Sequence, residues 1–437
     1  MSDVAHWLGA FESQASGLSG AGLPWLEAVR RRAIERFADE GWPSNRIDAW
    51  RHTSLTFLDR QRFVSAQPAA LPGAAVAELR QGDESGHWLV FVDGRFEPAL
   101  STLGALPAGA RVGALSEAFT RWPEQVEAAF GSGDVGTSPA ALNAALATDG
   151  LFVHLARGVE MDSPIHLAFV SATPNGANHP RNLVVAEAGS QATIVEHYVS
   201  TGDSAGLSNA VTRIEVGADA RITHVKLQQE AEQAFHLASI DVAQARGSLF
   251  NFHSLSFGAR LARNDIVTRF EGEGCETLLN GLFHVDGRRH VDHHTRIEHA
   301  MPRGVSREFY RGIVDGAARG VFAGRIVVDP GAVRTDAVQR TDNLLLSSKA
   351  EADARPELEI YADDVKCAHG ATVGQIDDEA LFYLRSRGLD EPHARNLLTY
   401  AFANEALARI DLLPLRSRAA AAVRARLPGR ELLEELT

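Results

Sequence analysis

Cysteine and lysine are both scarce in this chain. Of its 437 residues only two are cysteine, Cys275 and Cys367. Two thiols rule out a disulfide framework and fit a reducing compartment. They also mean that the chain alone cannot supply four thiolates to a metal or an iron–sulfur cluster. Lysine occurs only as Lys226, Lys349 and Lys366. None of these lies in a G-x-x-x-x-G-K-[ST] string, so the chain carries no P-loop, and any ATP hydrolysis must come from a partner.

Other absences narrow the class further. No uninterrupted apolar run approaches the ~18 residues that span a bilayer. The start, Met1-Ser2-Asp3-Val4-Ala5-His6, has neither a basic n-region nor an apolar h-region, so a cytoplasmic protein is expected. Lys and Arg total 43 against 56 Asp and Glu, a formal charge of −13. That balance argues against nucleic-acid binding through a broad basic face, which needs clustered positive charge to displace counterions. Hydrophobic residues at 45% and charged residues at 23% are ordinary for a globular chain.

The residues that are present divide the chain into helical ends and a β centre. Trp25, Leu26, Val29, Ala33, Ile34 and Phe37 recur at three- and four-residue spacing, which predicts a helix with one buried face, stopped by Gly41-Trp42-Pro43. Residues 66–85, rich in Ala, Pro, Gly and Gln, read as a loop. Residues 87–92 read as a strand closed by the turn dipeptide Asp93-Gly94. From about 150 to 370 the pattern becomes short β runs, with period two over 236–242 and 248–255. A weak repeat aligns Gly189-x-x-Ala192-x-Ile194 with Gly217-x-x-Ala220-x-Ile222, and Gly247 and Gly274 open similar turns. Such a period suits a stacked β array, with a β-sandwich as the alternative. After about 375 helical spacing returns over 379–385, capped by Asp377 or Asp378 and closed by Gly388. A second helix starts at Asp390 and Pro392, and a third runs through Leu412, Leu413, Leu415 and Ala419–Ala422 to Pro428-Gly429. The expected architecture is mainly β with helical ends. A right-handed parallel β-helix core over 136–372 follows an N-terminal helical/mixed domain over 1–135 and precedes a C-terminal helical domain over 373–437.

Two groups of residues carry candidate chemistry. Residues 283–299 hold His284, His290, His293, His294 and His299 with Asp286, Asp292 and Glu298. Imidazole and carboxylate suit zinc, iron or manganese, so a metal-dependent hydrolase is one reading. Neighbours on a strand point to opposite faces, which keeps His293 and His294 apart, and a polar outer face of a β array is the other reading. The second group is Cys367-Ala368-His369. If residues 361–369 form a strand, Cys367 and His369 share a face. They suit a soft or borderline metal, or the imidazole activates the thiol, or both are structural. Cys275, beside Gly274 at a turn, reads as a small core residue. The basic string Arg303–Gly312 reads as arginines paired to local carboxylates. A secreted carbohydrate-binding or lyase β-helix is a third reading, weakened by the start of the chain.

Longer strings then point to a known family. Ser306-Arg307-Glu308-Phe309-Tyr310-Arg311-Gly312, Gly320-Val321-Phe322-Ala323-Gly324-Arg325-Ile326 and Tyr361-Ala362-Asp363-Asp364-Val365-Lys366-Cys367-Ala368-His369-Gly370-Ala371-Thr372 resemble the core of the SufB/SufD iron–sulfur assembly family. The likeness is clear from about residue 140 onward, and Asp48-Ala49-Trp50-Arg51-His52-Thr53 is similar to the family's N-terminal segment. The Cys-x-His-Gly-Ala-Thr string sets the chain apart from the SufB branch, which has a His-Glu-Ala-Thr-Thr-Ser-type string there and more cysteines. Ala368 stands where Ser is commoner.

The resemblance implies a non-enzymatic scaffold subunit that pairs with a SufB-type paralogue through the β-helix. It implies binding of the ABC-type ATPase SufC through the helical tail, where Leu381, Phe382, Tyr383, Leu384, Leu397, Leu398 and Phe402 are the candidate contacts. It implies that His369 is a candidate ligand of a nascent, transient iron–sulfur cluster shared with the SufB-type chain, with Cys367 a nearby thiol. The family's complex is also linked to reduced flavin, and an exposed β-helix face would allow a homodimer in isolation.

Overall fold

The computed structural model describes residues 4–65, 73–81, 86–131, 136–203 and 205–428. Its centre is a parallel β-solenoid built from two sheets between which the chain alternates. From Leu207–Val216 onward, successive strands fall alternately on the two sheets. Each pairs in parallel with the strand two places further along the sequence. One sheet ends in Glu351–Ile360 and the other in Lys366–Gly374. Parallel strands need a crossover, and here the crossover is the opposite strand of the same turn.

The turn length explains the sequence period and corrects its alignment. Gln191 pairs with Arg221, 30 positions on, so the counterpart of Gly189 is Asp219 and not Gly217. Gly189, Asp219, Gly247, Gly274, Arg303 and Arg334 all sit two residues before a strand of the second sheet, all with positive φ between 60° and 73°. Each sends its backbone N–H to a carbonyl of the following turn, as in Gly189 to Ala218 and Asp219 to Arg246. Aspartate enters the left-handed region more readily than most side chains, so the repeat survives without glycine at 219.

Inward positions of both sheets fill the solenoid with aliphatic and aromatic side chains, Ile194, Ile222, Phe250, Phe252, Ile266 and Phe322 among them. Polar groups interrupt this filling. Glu196 lies 3.1 Å from His224, Glu230 lies 2.7 Å from His236, and Lys226 donates to Asn264 at 2.7 Å. Burial acts to raise the Glu196 carboxyl, but the charges of His224 and Lys226 and hydrogen bonds outweigh it and leave it at about 2. Burial brings the Lys226 ammonium down to about 8, against the pull of Glu196 and Glu230.

Outward positions are covered differently on the two sheets. The C-terminal helices Glu391–Leu407 and Leu413–Arg424 bury Ala403, Leu407, Leu415 and Val423 against Val225, Leu227, Leu282 and Ile313 of the second sheet. The first sheet carries the N-terminal segment, with Asp48 paired to Arg355 at 3.0 Å. The predicted N-terminal helix is Pro24–Glu40, ended by Gly41 at φ 62°. Strand His87–Val92 turns back through Asp93 and Gly94, both at positive φ, into Arg95–Phe96.

Part of the expected 66–85 loop is instead the helix Gly73–Arg80. Val76 and Leu79, three apart, anchor it beside Trp88 and Val90. Residues 66–72 and 82–85 of that expected loop, and Gly429 at the expected end of the last helix, lie outside the described residues.

Candidate functional site

The last turn of the solenoid places the thiol and the imidazole. Lys366–Gly374 and Glu351–Ile360 each end their sheet, paired on one side only. The strand expected over 361–369 begins only at Lys366. Asp363 and Asp364 sit in the corner before it, where the Val365 N–H donates to the Asp363 carbonyl at 3.2 Å. Period two from there onward gives Cys367, His369, Ala371 and Val373 the inward positions, because they pair with Ala337, Gln339, Thr341 and Asn343.

Cys367 and His369 therefore share a face but not an environment. Cys367 is half-buried against Ile326, Val328, Ala337 and Ala362, while His369 is exposed. Burial pushes the Cys367 thiol up from its ordinary value, and nearby Asp336 adds to this. That direction does not favour an imidazole-activated thiolate at Cys367. Cys275 is a buried core thiol within reach of the Gly272 and Ala245 carbonyls, each at 3.1 Å.

The histidine-rich stretch 283–299 is dispersed by the solenoid. His284 belongs to one sheet and His290–His299 to the other. His293 turns inward and stacks on Phe283, and His299 turns inward to Ser306 at 2.9 Å. On the opposite face Thr53 of the N-terminal segment accepts from His290 at 2.7 Å and donates to Asp292. Arg263 donates to Asp292 at 2.6 Å and to the Ala49 carbonyl at 2.9 Å. Burial works to raise the Asp292 carboxyl, yet the charges of His294 and Arg263 hold it well below the usual carboxylate range. Among the described residues no three His, Cys, Asp or Glu side chains are grouped to hold a metal ion. The stretch is part of the core and of the seam to the N-terminal segment, not a solvated polar face, and nothing supports the hydrolase reading.

Arg303 to Arg311 are paired as expected, Arg307 to Asp336 at 2.9 Å and Arg311 to Asp342 at 3.5 Å. In the tail, Leu381 is buried and Leu384, Leu397 and Leu398 are half-buried. Phe402 lies under the Arg311 guanidinium, 4.3 Å from it, so that ring is used within the chain. Phe382 and Tyr383, on the helix Asp378–Ser386, are 74% and 56% exposed. That helix is capped by the Asp377 carboxylate, which accepts from the Glu379 N–H at 2.9 Å.

Sequence reasoning passed over two features. The seam built by Thr53, Arg263, His290 and Asp292 joins residues more than 200 positions apart, which no local pattern reveals. The inward polar groups had a visible signal, since His224, Lys226 and Gln228 recur at period two and alternate with Val225 and Leu227.

The described residues thus form a helix-flanked parallel β-solenoid with a thiol and an imidazole on its last turn. The family description "SUF system FeS cluster assembly, SufBD core domain" matches residues 169–402, and "SufBD protein N-terminal region" matches residues 1–167. An iron–sulfur cluster assembly SufBD family protein of Synechocystis is 34% identical over 428 residues, covering 95% of this chain and 94% of that one. The iron–sulfur cluster assembly protein SufD of Escherichia coli is 32% identical over 431 residues, covering 98% and 97%. SufD of Bacillus subtilis is 25% identical over 392 residues, covering 86% and 88%. The chain belongs to the SufBD family and has a role in iron–sulfur cluster assembly.

Proposed function

We propose that this chain is a non-catalytic scaffold subunit that pairs with a SufB-type paralogue and presents half of a site at which a nascent iron–sulfur cluster is built. The observation that carries this reading is the edge strand Lys366–Gly374, unpaired on its outer side, with Cys367 and His369 at inward positions. An unpaired strand edge is a ready template for another chain. One half-buried thiol and one exposed imidazole are too few ligands for a cluster, so a second chain completes the set. His369 is the ligand in this reading and Cys367 its neighbour; the cluster is transient cargo, not a resident cofactor.

The division of labour follows the three parts of the chain. The N-terminal part over 1–135 covers the first sheet and adds a strand to each sheet, the core over 136–372 pairs with the paralogue, and the tail over 373–437 engages a SufC-type ATPase through Phe382 and Tyr383. The absent P-loop fits an ATPase supplied in trans. A cytoplasmic setting fits the two unpaired thiols. Reduced flavin, if used, belongs to the complex, and a homodimer through the same edge is the alternative pairing of the isolated chain.

Affinity purification of the tagged full chain from its native extract tests this. The expected result is recovery of a SufB-type paralogue and an ABC-type ATPase. Recovery of the chain alone or as a homodimer only, with both other proteins present in the extract, would overturn the reading.

A further inference from the structure

The inward column that ends in His369 contains two buried polar side chains with no part in the sites above. Leu279, Glu308, Gln339 and His369 stand in register on successive strands of the second sheet. Glu308 is 2% exposed and Gln339 fully buried. The Gln339 side-chain amide donates through Nε2 to Glu308 Oε2. Held that way, its carbonyl oxygen Oε1 is buried and accepts no hydrogen bond from any described residue. Leaving a buried acceptor unsatisfied costs stability, so it calls for a donor.

Both sheets bear on how that amide is held and what adjoins it. On the opposite sheet, a Cβ at Gly324 would stand 1.9 Å from Gln339 Nε2, so glycine there makes room for the amide in this pose. On the same sheet, the next inward residue is His369, one strand spacing of about 4.8 Å away. Its imidazole carries a ring N–H, and it is the neighbour of Gln339 on the side away from Glu308. Metal-binding imidazoles usually give their second ring N–H to a carbonyl or carboxylate, which fixes tautomer and ring plane.

We propose that Gln339 is a positioning residue for His369. Its side-chain carbonyl accepts one ring N–H, Glu308 holds the amide in the orientation that allows this, and the other ring nitrogen is left for iron. The inference deepens the scaffold reading and rests on His369 being a cluster ligand.

The test uses the full chain in complex with its SufB-type and ATPase partners, reconstituted anaerobically with ferrous iron and sulfide and then challenged with a chelator. Gln339→Leu and Glu308→Leu are expected to lose iron on the order of ten-fold more readily than the parent, the usual cost of removing a group that orients a metal-binding histidine. Glu308→Gln still accepts from the Gln339 amide and is expected to behave as the parent does. Should Gln339→Leu not fold, Gly324→Ala displaces the amide from the opposite sheet and is expected to show the same loss.

A second readout separates positioning from general loosening. In the full chain labelled with ¹⁵N-histidine, and assigned with His369→Ala, the His369 ring nitrogens should report one tautomer. That should become a mixture in Gln339→Leu and return to one in Glu308→Gln. If His369→Ala retains iron like the parent, the ligand reading fails. If His369→Ala loses iron but Gln339→Leu keeps both iron and a single tautomer, the positioning role is wrong and the ligand reading stands.

Discussion

The guanidinium of Arg263 lies 3.7 Å above the ring of Trp50, so one buried cation belongs at once to a solenoid strand and to the N-terminal segment. The same side chain neutralises Asp292, which is fully buried. Replacing Arg263 by Leu would leave that carboxylate without its arginine, with only His294 and Thr53 beside it inside the seam. Breaking a buried pair from one side costs about 3–5 kcal/mol. Urea unfolding of Arg263→Leu should show a loss of that order, with faster proteolysis near residue 50. An unchanged midpoint would remove the seam from the account of stability.

Glu308 makes a separate prediction about pH. Burial pushes its carboxyl up to about 7, with the hydrogen bond from Gln339 pulling the other way. Because the folded-state value is raised above the ordinary 4.5, the folded chain binds more protons than the unfolded chain between those two values. Stability contributed by the protonated carboxyl is therefore present below about pH 4.5 and lost as pH rises to about 7. The loss is on the order of 3 kcal/mol. Glu308→Gln should lack this slope and gain on the parent chain from pH 5 to pH 8. Parallel stability curves for the two chains would contradict it.

The two cysteines should differ in reactivity. Burial raises both thiols, but Cys275 is enclosed in the core while Cys367 is half-exposed on the last turn. At neutral pH iodoacetamide should label Cys367 slowly, more slowly than a small free thiol, and Cys275 only on unfolding. Mass spectrometry of the labelled chain reads this directly. Rapid labelling of Cys367 would restore an activated thiolate.

The tail offers a contrast between neighbouring aromatic residues. Phe382 and Tyr383 are exposed, so changing both to Ala should leave the folded chain intact. It should weaken binding of the SufC-type ATPase by about 2 kcal/mol, roughly 30-fold in Kd. Phe402 packs beneath Arg311, so Phe402→Ala should lower the unfolding midpoint as well. Titration calorimetry with the ATPase and thermal unfolding of each variant distinguish the two. Unchanged affinity in the double variant would move the docking site elsewhere.

What the sequence reveals, and what it hides, follows from the range of the interactions. Period two over 248–255 is readable because one face of that strand fills the solenoid, and the helix at 24–40 because one stripe of it is buried. The turn alignment at Gly217 misleads because Asp219 adopts the left-handed conformation that glycine usually marks. The helix Gly73–Arg80 hides in a stretch whose neighbours look like loop, since only Val76 and Leu79 are buried on it. The shared face of Cys367 and His369 is legible from spacing alone. Their different exposure is not, because it depends on which strand is last in the stack. Glu308 and Gln339 look like ordinary surface residues of alternating strands, and only the register sets them inward beside His369.

The central claim is that His369 binds the nascent cluster on the assembled complex. Pulsed electron paramagnetic resonance of a reduced cluster tests it most directly, with ¹⁵N-histidine in this chain alone and unlabelled partners. The account predicts a ¹⁵N hyperfine coupling of a directly bound imidazole that disappears in His369→Ala. A cluster that forms on the complex and shows no such coupling would contradict it.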